Sequence, residues 1–406
     1  MLLSARDKTH ERMNPRNEHA VRWGEPPWRV DFRPLPRVPP REVDVAVVGG
    51  GFTGLAAACH LRRLAPEKTV ALLEARRLGS GASGRTGGIA LAGTAQGQLP
   101  GLGDVLQGFV GILEALKIDC GLTLPGVWEI ARTRGPSPSP ILWNDSGALR
   151  VLRGVAGGTV APERLIAGLA SAAERLGAVL CESAPVISVS SEHPAKLVVG
   201  VGPNGVRPGR APLAPTRRES ELRANQVLFA TNGYALQLSG LAGRAESEFA
   251  LAVATEPLRV DGLEAIGLSQ RNAFYTVDLP YLWGRALSNG GIVFGSGLVP
   301  FDHRREWGSI DVRNGQPARL LAALEERVRG LHPTLQSVRF THRWGGPILF
   351  PHSGNPFFAR HARSPCGLVV GGYSGHGVAL SVYLGRWAAE VLLGRQTLPP
   401  WSFEAS

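Results

Sequence analysis

The stretch "VDVAVVGGGFTGLAAACHLRRLAPEKTVALLEA", residues 43–75, decides the fold of this chain. It opens with a β-branched apolar run that ends in glycines, which is typical of a buried parallel strand. A segment with helical spacing follows and stops at Pro66, and a second apolar run ends at Glu74. A strand, a helix and a strand within about 33 residues predict a βαβ unit.

Three glycines in this stretch, Gly49, Gly51 and Gly54, form the pattern G-x-G-x-x-G. Alone the pattern is weak, but here a strand precedes it and a helix follows it. The first glycine permits a tight turn, the second lets the backbone approach a pyrophosphate, and the third lets the helix pack on the strand. Because a helix N-terminus offers free N–H groups and partial positive charge to phosphates, the pattern predicts a dinucleotide site.

Glu74 lies twenty residues after Gly54 and closes the second predicted strand. A carboxylate at this place accepts hydrogen bonds from an adenosine ribose and would repel a 2′-phosphate, which disfavours NADP. The alternative is a structural turn with a surface glutamate. The motif by itself does not distinguish NAD from FAD.

Segments of the βαβ kind recur in the middle of the chain, at residues 161–183 and 226–235, and again near its end. Alternating apolar patterns at residues 249–300 predict antiparallel strands between them. This order predicts two interleaved domains rather than two domains joined by a linker. The proline-rich residues up to about 40 predict an extended arm on the surface.

Composition excludes several classes of protein. The net charge of +11 comes almost entirely from scattered arginines, so we expect no nucleic-acid partner. The first 20 residues are charged throughout, and no apolar stretch of about 18 residues occurs, so we expect a cytoplasmic protein without a membrane span. The four cysteines form no CxxC pair and the ten histidines no ligand spacing, so we predict no metal site.

Four separated segments together carry a family resemblance: "VDVAVVGGGFTGLAAACHL", "LLEARRLGSGASGRTGG", "QVLFATNGYA" and "GLVVGGYSGHGVAL". They resemble the FAD-dependent D-amino acid oxidase superfamily, in particular the gamma-glutamylputrescine oxidase type near the sarcosine and glycine oxidases. The resemblance covers about residues 40–397. It implies an α/β fold, α+β overall, in which a Rossmann-like FAD-binding domain is interleaved with an antiparallel-sheet substrate domain.

The predicted domain boundaries follow from this resemblance. We expect an N-terminal arm at 1–40. The FAD-binding domain would comprise 41–95, 160–245 and 341–406. The substrate-binding domain would comprise 96–159 and 246–340.

The resemblance also implies the chemistry. A flavoprotein of this kind oxidises the C–N bond of a small-molecule amine or amino acid, with a polyamine derivative among the candidates, by hydride transfer to flavin N5, and the imine then hydrolyses. The cofactor supplies the redox chemistry and the protein supplies position and electrostatics. O2 or another electron acceptor completes the cycle.

Carried over residue by residue, the resemblance implies a cofactor site along most of the FAD domain. The residues implied to bind FAD are Gly49, Gly51, Phe52, Thr53, Gly54, Glu74, Ala75, Arg76, Ser83, Gly84, Arg85, Thr86, Gly87, Gly88, Val186, Thr231, Asn232, Gly233, Gly375, His376, Gly377 and Val378. Within "GASGRTGG", we expect Ser83, Arg85 and Thr86 to donate to the pyrophosphate and the flavin edge.

Candidate catalytic residues come from three places. Tyr281 and Arg285 alternate with Trp283 in "YLWGR", and period two places all three on one face of a strand, where they line an amine pocket or pack under a helix. Trp344 is a candidate aromatic beside the flavin. His376 stabilises reduced flavin or takes a proton, or is simply a turn histidine.

Three departures from the family pattern limit the prediction. Val293 stands where sarcosine oxidases carry an oxygen-activating lysine, which leaves oxidase against dehydrogenase open. Ala379 stands where a lysine binds the substrate carboxylate, which favours a larger amine unless Arg285 takes that carboxylate. The cysteine that binds flavin covalently in the sarcosine branch would fall near residues 341–346. No cysteine occurs there, so we predict non-covalent FAD.

Two other functions are alternatives to amine oxidation: an FAD-dependent 2-hydroxyacid dehydrogenase and a non-catalytic FAD-binding protein. The sequence "GYSGH", residues 372–376, does not complete the G-x-S-x-G pattern of a hydrolase nucleophile.

Overall fold

The computed structural model describes residues 22–94, 96–133, 138–201, 218–300 and 309–404. Within these ranges the chain forms six α-helices and nineteen β-strands. The helices are α1 Phe52–Leu64, α2 Val105–Leu116, α3 Pro162–Arg175, α4 Val260–Ala265, α5 Gly315–Leu331 and α6 Gly377–Leu392.

The first sheet has nine strands and a parallel centre. Its strands are β1 Glu42–Val48, β2 Val70–Leu73, β8 Val179–Cys181, β9 Val186–Val189, β10 Ala195–Val201, β11 Arg218–Phe229, β17 Phe357–Arg360, β18 Gly367–Gly371 and β19 Phe403–Glu404. The order is β19-β17-β18-β11-β1-β2-β8, with β10 on β11 and β9 on β10. Strands β18, β11, β1, β2 and β8 run parallel, and the β10–β11 pair is antiparallel. The polar sequence at 204–224 predicts a long loop; its part up to 217 lies outside the described residues, and from Arg218 onward it belongs to strand β11 instead.

Helices α1 and α6 pack against each other and begin on the same side of the first sheet. Their crossing is close because Gly385 of α6 has no side chain: a Cβ there would stand 2.5 Å from the Thr53 carbonyl oxygen. The apolar face of α1 is almost entirely buried. This packing fixes both helix N-termini in position.

The second sheet has eight strands and is antiparallel except for the β4–β13 pair. Its strands are β4 Val127–Thr133, β5 Trp143–Asn144, β6 Ala148–Val155, β12 Ala245–Thr255, β13 Ala273–Thr276, β14 Trp283–Ala286, β15 Ile292–Pro300 and β16 Phe340–Pro351. The order is β16-β12-β15-β14-β13-β4-β6-β5. Helix α5 covers one face with Leu321, Leu324 and Val328, which follow helical spacing. Two short strands, β3 Ile89–Leu91 and β7 Gly157–Thr159, form a separate pair.

The mixed architecture confirms the predicted fold class, and the two sheets alternate along the chain as expected. One predicted boundary differs from the sheet topology. Residue 341 falls inside β16, which pairs with β12 from Ala245↔Pro351 to Thr255↔Phe340 and so belongs to the second sheet. The division of the chain into an FAD-binding and a substrate-binding domain stays a prediction, with its last boundary better placed after Pro351.

The N-terminal arm does not lie only on the surface. Trp23 is fully buried, and its carbonyl accepts a hydrogen bond from the backbone N–H of Gly345 at 2.9 Å. Its ring packs edge-on against Phe249 of the second sheet, at 5.3 Å between centroids. The sequence did not predict this because a tryptophan among prolines and charges carries no periodic pattern.

Candidate active site

A cavity of about 1210 Å³ lies where residues of both sheets meet. Ordinary small-molecule pockets hold about 300–1,000 Å³, so this one has room for a large ligand together with a smaller one. Of the predicted cofactor residues, the following line it: Gly49, Gly51, Phe52, Thr53, Glu74, Ala75, Arg76, Ser83, Arg85, Thr86, Gly87, Val186, Thr231, Asn232, Gly375, His376, Gly377 and Val378.

The glycine turn has the backbone geometry that its pattern predicts. Gly49 has φ +113°, a conformation that side chains rarely allow, and its N–H donates to the Leu73 carbonyl at 2.9 Å. Gly54 lies behind the cavity wall: a Cβ there would stand 2.0 Å from the Gly49 carbonyl oxygen. Glycine at these two places therefore lets α1 begin directly beside the turn.

Both helix N-termini at the cavity carry uncompensated positive dipole ends. Helix α1 has no side-chain cap and no acidic residue in its first turn, and the same holds for α6. The Ser83 hydroxyl accepts the Phe52 N–H at 3.0 Å, and the Thr53 hydroxyl lies 2.6 Å from that of Tyr373. The partial positive charge of these two N-termini at one cavity would stabilise the negative charge of a diphosphate and of a reduced flavin.

Glu74 lines the cavity with its carboxylate held by backbone groups. One oxygen accepts the Gly50 N–H at 2.8 Å and the other the Arg76 N–H at 2.9 Å. Burial raises the pKa of this carboxyl, and the two N–H groups oppose the rise. Since a carboxylate offers about four lone-pair sites, capacity remains for ribose hydroxyls.

The loop "GASGRTGG" differs from its expected role at Arg85. The Arg85 Nη1 donates to the carbonyls of Gly24 at 2.8 Å and Gly345 at 3.0 Å, and lies 3.4 Å from that of Trp23. The guanidinium also lies over the Trp23 ring at 5.4 Å. This arginine therefore joins the N-terminal segment and β16 to the cofactor loop, and its Nη1 does not serve as an anion donor.

The other members of that loop act chiefly through their backbone. The carbonyl of Arg85 accepts the Trp344 Nε1–H at 3.0 Å, and that of Gly84 accepts the Trp28 Nε1–H at 2.9 Å. A Cβ on Gly84 would stand 2.2 Å from the Gly79 carbonyl oxygen, and one on Gly88 2.3 Å from that of Val160. Gly84 and Gly88, like Gly54 and Gly233, do not line the cavity.

Asn232 is a cavity residue with a clear local task. It adopts a left-handed backbone with φ +49°, and its side-chain oxygen accepts the Gly372 N–H at 2.9 Å. It thereby holds the turn after β11 against the turn that precedes α6. Thr231 and Val186 line the cavity nearby.

The candidate catalytic residues do not all meet in the cavity. Trp344, His376 and Tyr281 line it, but Arg285 does not. Arg285 is buried, its Nε donates to the Gly87 carbonyl, and burial lowers its pKa to about 10. Its guanidinium is thus engaged behind the loop, which removes it as the expected partner of a substrate carboxylate.

Trp283 and Arg285 share one face of β14, as period two predicts. The Trp283 ring lies against Gly87, where a Cβ would stand 2.3 Å from the ring. Tyr281 lies just before the strand and is more than half exposed. The aromatic wall nearest the loop is therefore formed by Trp283 and Trp344.

His376 occupies the N-cap position of α6 without a side-chain cap hydrogen bond, and it is a neutral histidine. Its Nδ1 lies 3.0 Å from the Ser374 carbonyl oxygen, which can only accept, so Nδ1 carries the proton and Nε2 keeps a lone pair. Burial lowers the pKa of His376 below its ordinary value. The positive potential at this end of the cavity therefore comes from the helix rather than from an imidazolium.

The two positions that depart from the family pattern lie outside the cavity lining. Val293 is fully buried beside Trp344, and Ala379 is fully buried in α6. Neither position brings a charged group to the site. Across the described ranges no cysteine lines the cavity, and no group of three or more His, Cys, Asp or Glu side chains could hold a metal.

The polar cavity residues that the sequence did not predict include a connected cluster of Glu129, Arg153 and Tyr275. Tyr275 donates its hydroxyl to Glu129 Oε2 at 3.0 Å, and Arg153 donates to the same oxygen from Nη2 at 3.0 Å and from Nε at 3.2 Å. They come from three strands far apart in sequence. The available signal was a lone acidic residue within the apolar strand "VWEIART".

Comparison with known proteins gives a consistent result. The family described as DAO, FAD dependent oxidoreductase, matches residues 44–391. The chain is 25% identical over 405 residues to a probable oxidoreductase OrdL of Rhizobium meliloti, covering 88% of this chain and 84% of the relative. It is 26% identical over 399 residues to the gamma-glutamylputrescine oxidoreductase of Escherichia coli, covering 86% and 84%.

Solved structures share the fold at lower identity. An L-proline dehydrogenase from P. horikoshii superposes with a TM-score of 0.64 at 18% identity, covering 89% of this chain and 96% of the other. A glycine oxidase from Geobacillus kaustophilus gives 0.63 at 20% identity, covering 88% and 96%. In the part of the chain that the structure describes, no helix is long and apolar enough to cross a membrane.

Proposed function

Because the chain belongs to the family of FAD-dependent oxidoreductases, we propose that it binds FAD non-covalently and oxidises the C–N bond of an amine or amino acid. FAD, when bound, would supply the two-electron oxidation of the C–N bond, and the imine formed would be hydrolysed by water. The observation that carries the proposal is one cavity that joins the glycine turn, Glu74 and the α6 N-terminus to the aromatic and polar face of the second sheet.

The adenosine and pyrophosphate would lie along residues 49–53 and Glu74. The uncapped N-terminus of α1 balances the negative charge of the pyrophosphate. The Ser83 hydroxyl already accepts the Phe52 N–H, so its own hydrogen is available to a phosphate oxygen. The absence of cavity-lining cysteines among the described residues supports non-covalent binding.

The isoalloxazine would lie between the α6 N-terminus and the loop at 83–87. The α6 dipole would stabilise the negative charge that develops on reduction, and this charge stabilisation favours the transition state. Neutral His376 keeps an acceptor at Nε2, which can accept a hydrogen bond from the substrate amine.

The substrate would lie against Trp283 and Trp344. Their rings exclude water and bury the apolar part of an amine beside the cofactor loop. With Val293 at the position expected for an oxygen-activating lysine, we expect slow reoxidation by O2 and faster reoxidation by an artificial acceptor.

An anaerobic titration tests the proposal. Amines, N-methyl amino acids and 2-hydroxyacids are added in turn to the FAD-loaded protein, and flavin absorbance is followed. We expect bleaching by members of the amine or amino acid group. Bleaching by hydroxyacids alone would assign the protein to alcohol oxidation, and bleaching by none would contradict an enzymatic role. Admission of air then separates an oxidase from a dehydrogenase.

A further inference from the structure

A single row of residues crosses the second sheet. It runs from the loop at residues 81–88, here called the cofactor loop, to the polar cluster of Glu129, Arg153 and Tyr275. The pairing register gives Trp344↔Ala252, Ala252↔Gly295, Gly295↔Trp283, Trp283↔Tyr275, Tyr275↔Glu129 and Glu129↔Arg153. Residues that face each other across neighbouring strands project from the same side of a sheet. All but Gly295 line the cavity.

The row changes from apolar to ionic along its length. Trp344 and Trp283 contact the cofactor loop at Arg85 and Gly87. Glu129 lies two strands beyond Trp283, a separation of about 10 Å at the usual strand spacing. A substrate that lies along the row therefore has its oxidised bond near the tryptophans and its far end near Glu129.

Glu129 has a buried side chain in which only one of the two carboxylate oxygens accepts hydrogen bonds within the described residues. Its side chain is 8% exposed. All of its hydrogen bonds within the described residues, from Tyr275 and from two Arg153 nitrogens, go to Oε2. Oε1 accepts no hydrogen bond within the described residues, and Glu129 lines the cavity, so this oxygen can accept from a ligand that brings N–H donors.

Arg153 is the weaker candidate for ligand recognition. Its side chain is 67% exposed at the rim, so its outward N–H groups are already hydrated and gain little from an exposed ion pair. The same exposure lets its charge be screened when a second cation approaches Glu129.

We propose that Glu129 is a specificity-determining residue that binds, through Oε1, a protonated amino group at the far end of the substrate. The preferred substrate is then an amine with a second, cationic nitrogen remote from the oxidised C–N bond. This inference rests on the proposed amine oxidation and names its substrate class.

The test uses the FAD-loaded protein and two series of probes: straight-chain α,ω-diamines and monoamines of the same chain lengths. Anaerobic flavin reduction at varied amine concentration gives an apparent Kd and a limiting rate for each. For the wild type we expect tighter binding of diamines above a threshold length. Glu129→Gln should lose that preference by about tenfold or more, since a hydrogen bond to a charged group is lost, while monoamine binding and limiting rates stay within about twofold.

The matched control is Glu256→Gln. Glu256 is also paired with an arginine, Arg339, at the end of a strand of the same sheet, but it does not line the cavity. We expect it to leave both series unchanged. FAD content and circular dichroism of each variant check folding.

Several results would overturn the proposal. One is a wild type that does not prefer diamines, and another is a Glu129→Gln variant that weakens both series equally. ω-Amino acids serve as a third series of probes. If they bind in preference to both amine series, and Arg153→Gln abolishes that preference, the group at the far end of the substrate is a carboxylate instead. Bleaching by monoamines without a diamine preference defeats only this inference, whereas bleaching by no amine defeats the proposed function and this inference with it.

Discussion

The two ends of the cavity are built in different ways. At the end proposed for the cofactor, the groups available for binding are backbone N–H groups of a turn and of two helices, within short continuous stretches of chain. At the end proposed for the substrate, they are side chains of Glu129, Arg153 and Tyr275, on three strands that meet only in the folded sheet. A site made of local backbone can be predicted from glycine spacing in the sequence. A site made of distant side chains depends on how the strands pair in the folded sheet.

The largest expected effect concerns the turn itself. Gly54→Ala would place a methyl group 2.0 Å from the Gly49 carbonyl oxygen, so α1 would have to move away from the turn. We expect FAD content to fall by at least about tenfold, measured as flavin absorbance per protein. The matched change is Gly111→Ala in α2, whose Cβ would meet nothing within 4 Å; it should keep FAD and raise stability by about 0.5–1 kcal/mol. Full FAD content in Gly54→Ala would show that the close approach of α1 to the glycine turn is not required for FAD binding.

The next effect separates binding from scaffolding at Arg85. Arg85→Met leaves three carbonyls, those of Trp23, Gly24 and Gly345, without their charged donor. We expect a loss of about 3 kcal/mol in the free energy of unfolding, measured by urea denaturation of the apoprotein. The affinity of the folded protein for FAD should change by less than about threefold. A large loss of FAD affinity with unchanged stability would restore the anion-binding role.

A third effect, on pH dependence, concerns His60 in α1. This residue is buried, and burial together with Arg63 and Arg386 lowers its pKa from 6.5 to about 3. Between pH 6.5 and 3, His60 binds a proton in the unfolded chain but not in the folded chain. The free energy of unfolding is therefore unaffected by this residue above pH 6.5 and decreases as the pH falls toward 3. At pH 5 this loss is about 2 kcal/mol. His60→Leu should flatten the stability curve between pH 7 and 5, and an unchanged slope would contradict the assignment.

The smallest effect concerns the aromatic wall. Trp344→Phe removes the hydrogen bond to the Arg85 carbonyl while keeping a ring beside the loop. We expect a stability loss of about 1 kcal/mol and a lower limiting rate of flavin reduction, with FAD content unchanged. Rapid-mixing spectroscopy of flavin reduction measures the rate, and an unaltered rate would place Trp344 in the scaffold alone.

The same contrast explains what could be predicted from the sequence. The βαβ unit and the place of Glu74 follow from patterns within 33 residues, and the structure has them where the patterns indicate. Arg85 and Arg285 were given roles by their position in a motif, but the direction of a long side chain depends on which carbonyls surround it. Those carbonyls belong to Trp23, Gly345 and Gly87, and no local pattern reports that neighbourhood.

The burial of Trp23 has a consequence for the order in which the protein can assemble. During synthesis this tryptophan leaves the ribosome before its contact partners Arg85, Phe249 and Gly345 have been made. The segment around Trp23 therefore cannot dock until β16 has been synthesised. Docking of Trp23 closes contacts of high sequence separation, which makes it a marker for the assembly of the second sheet.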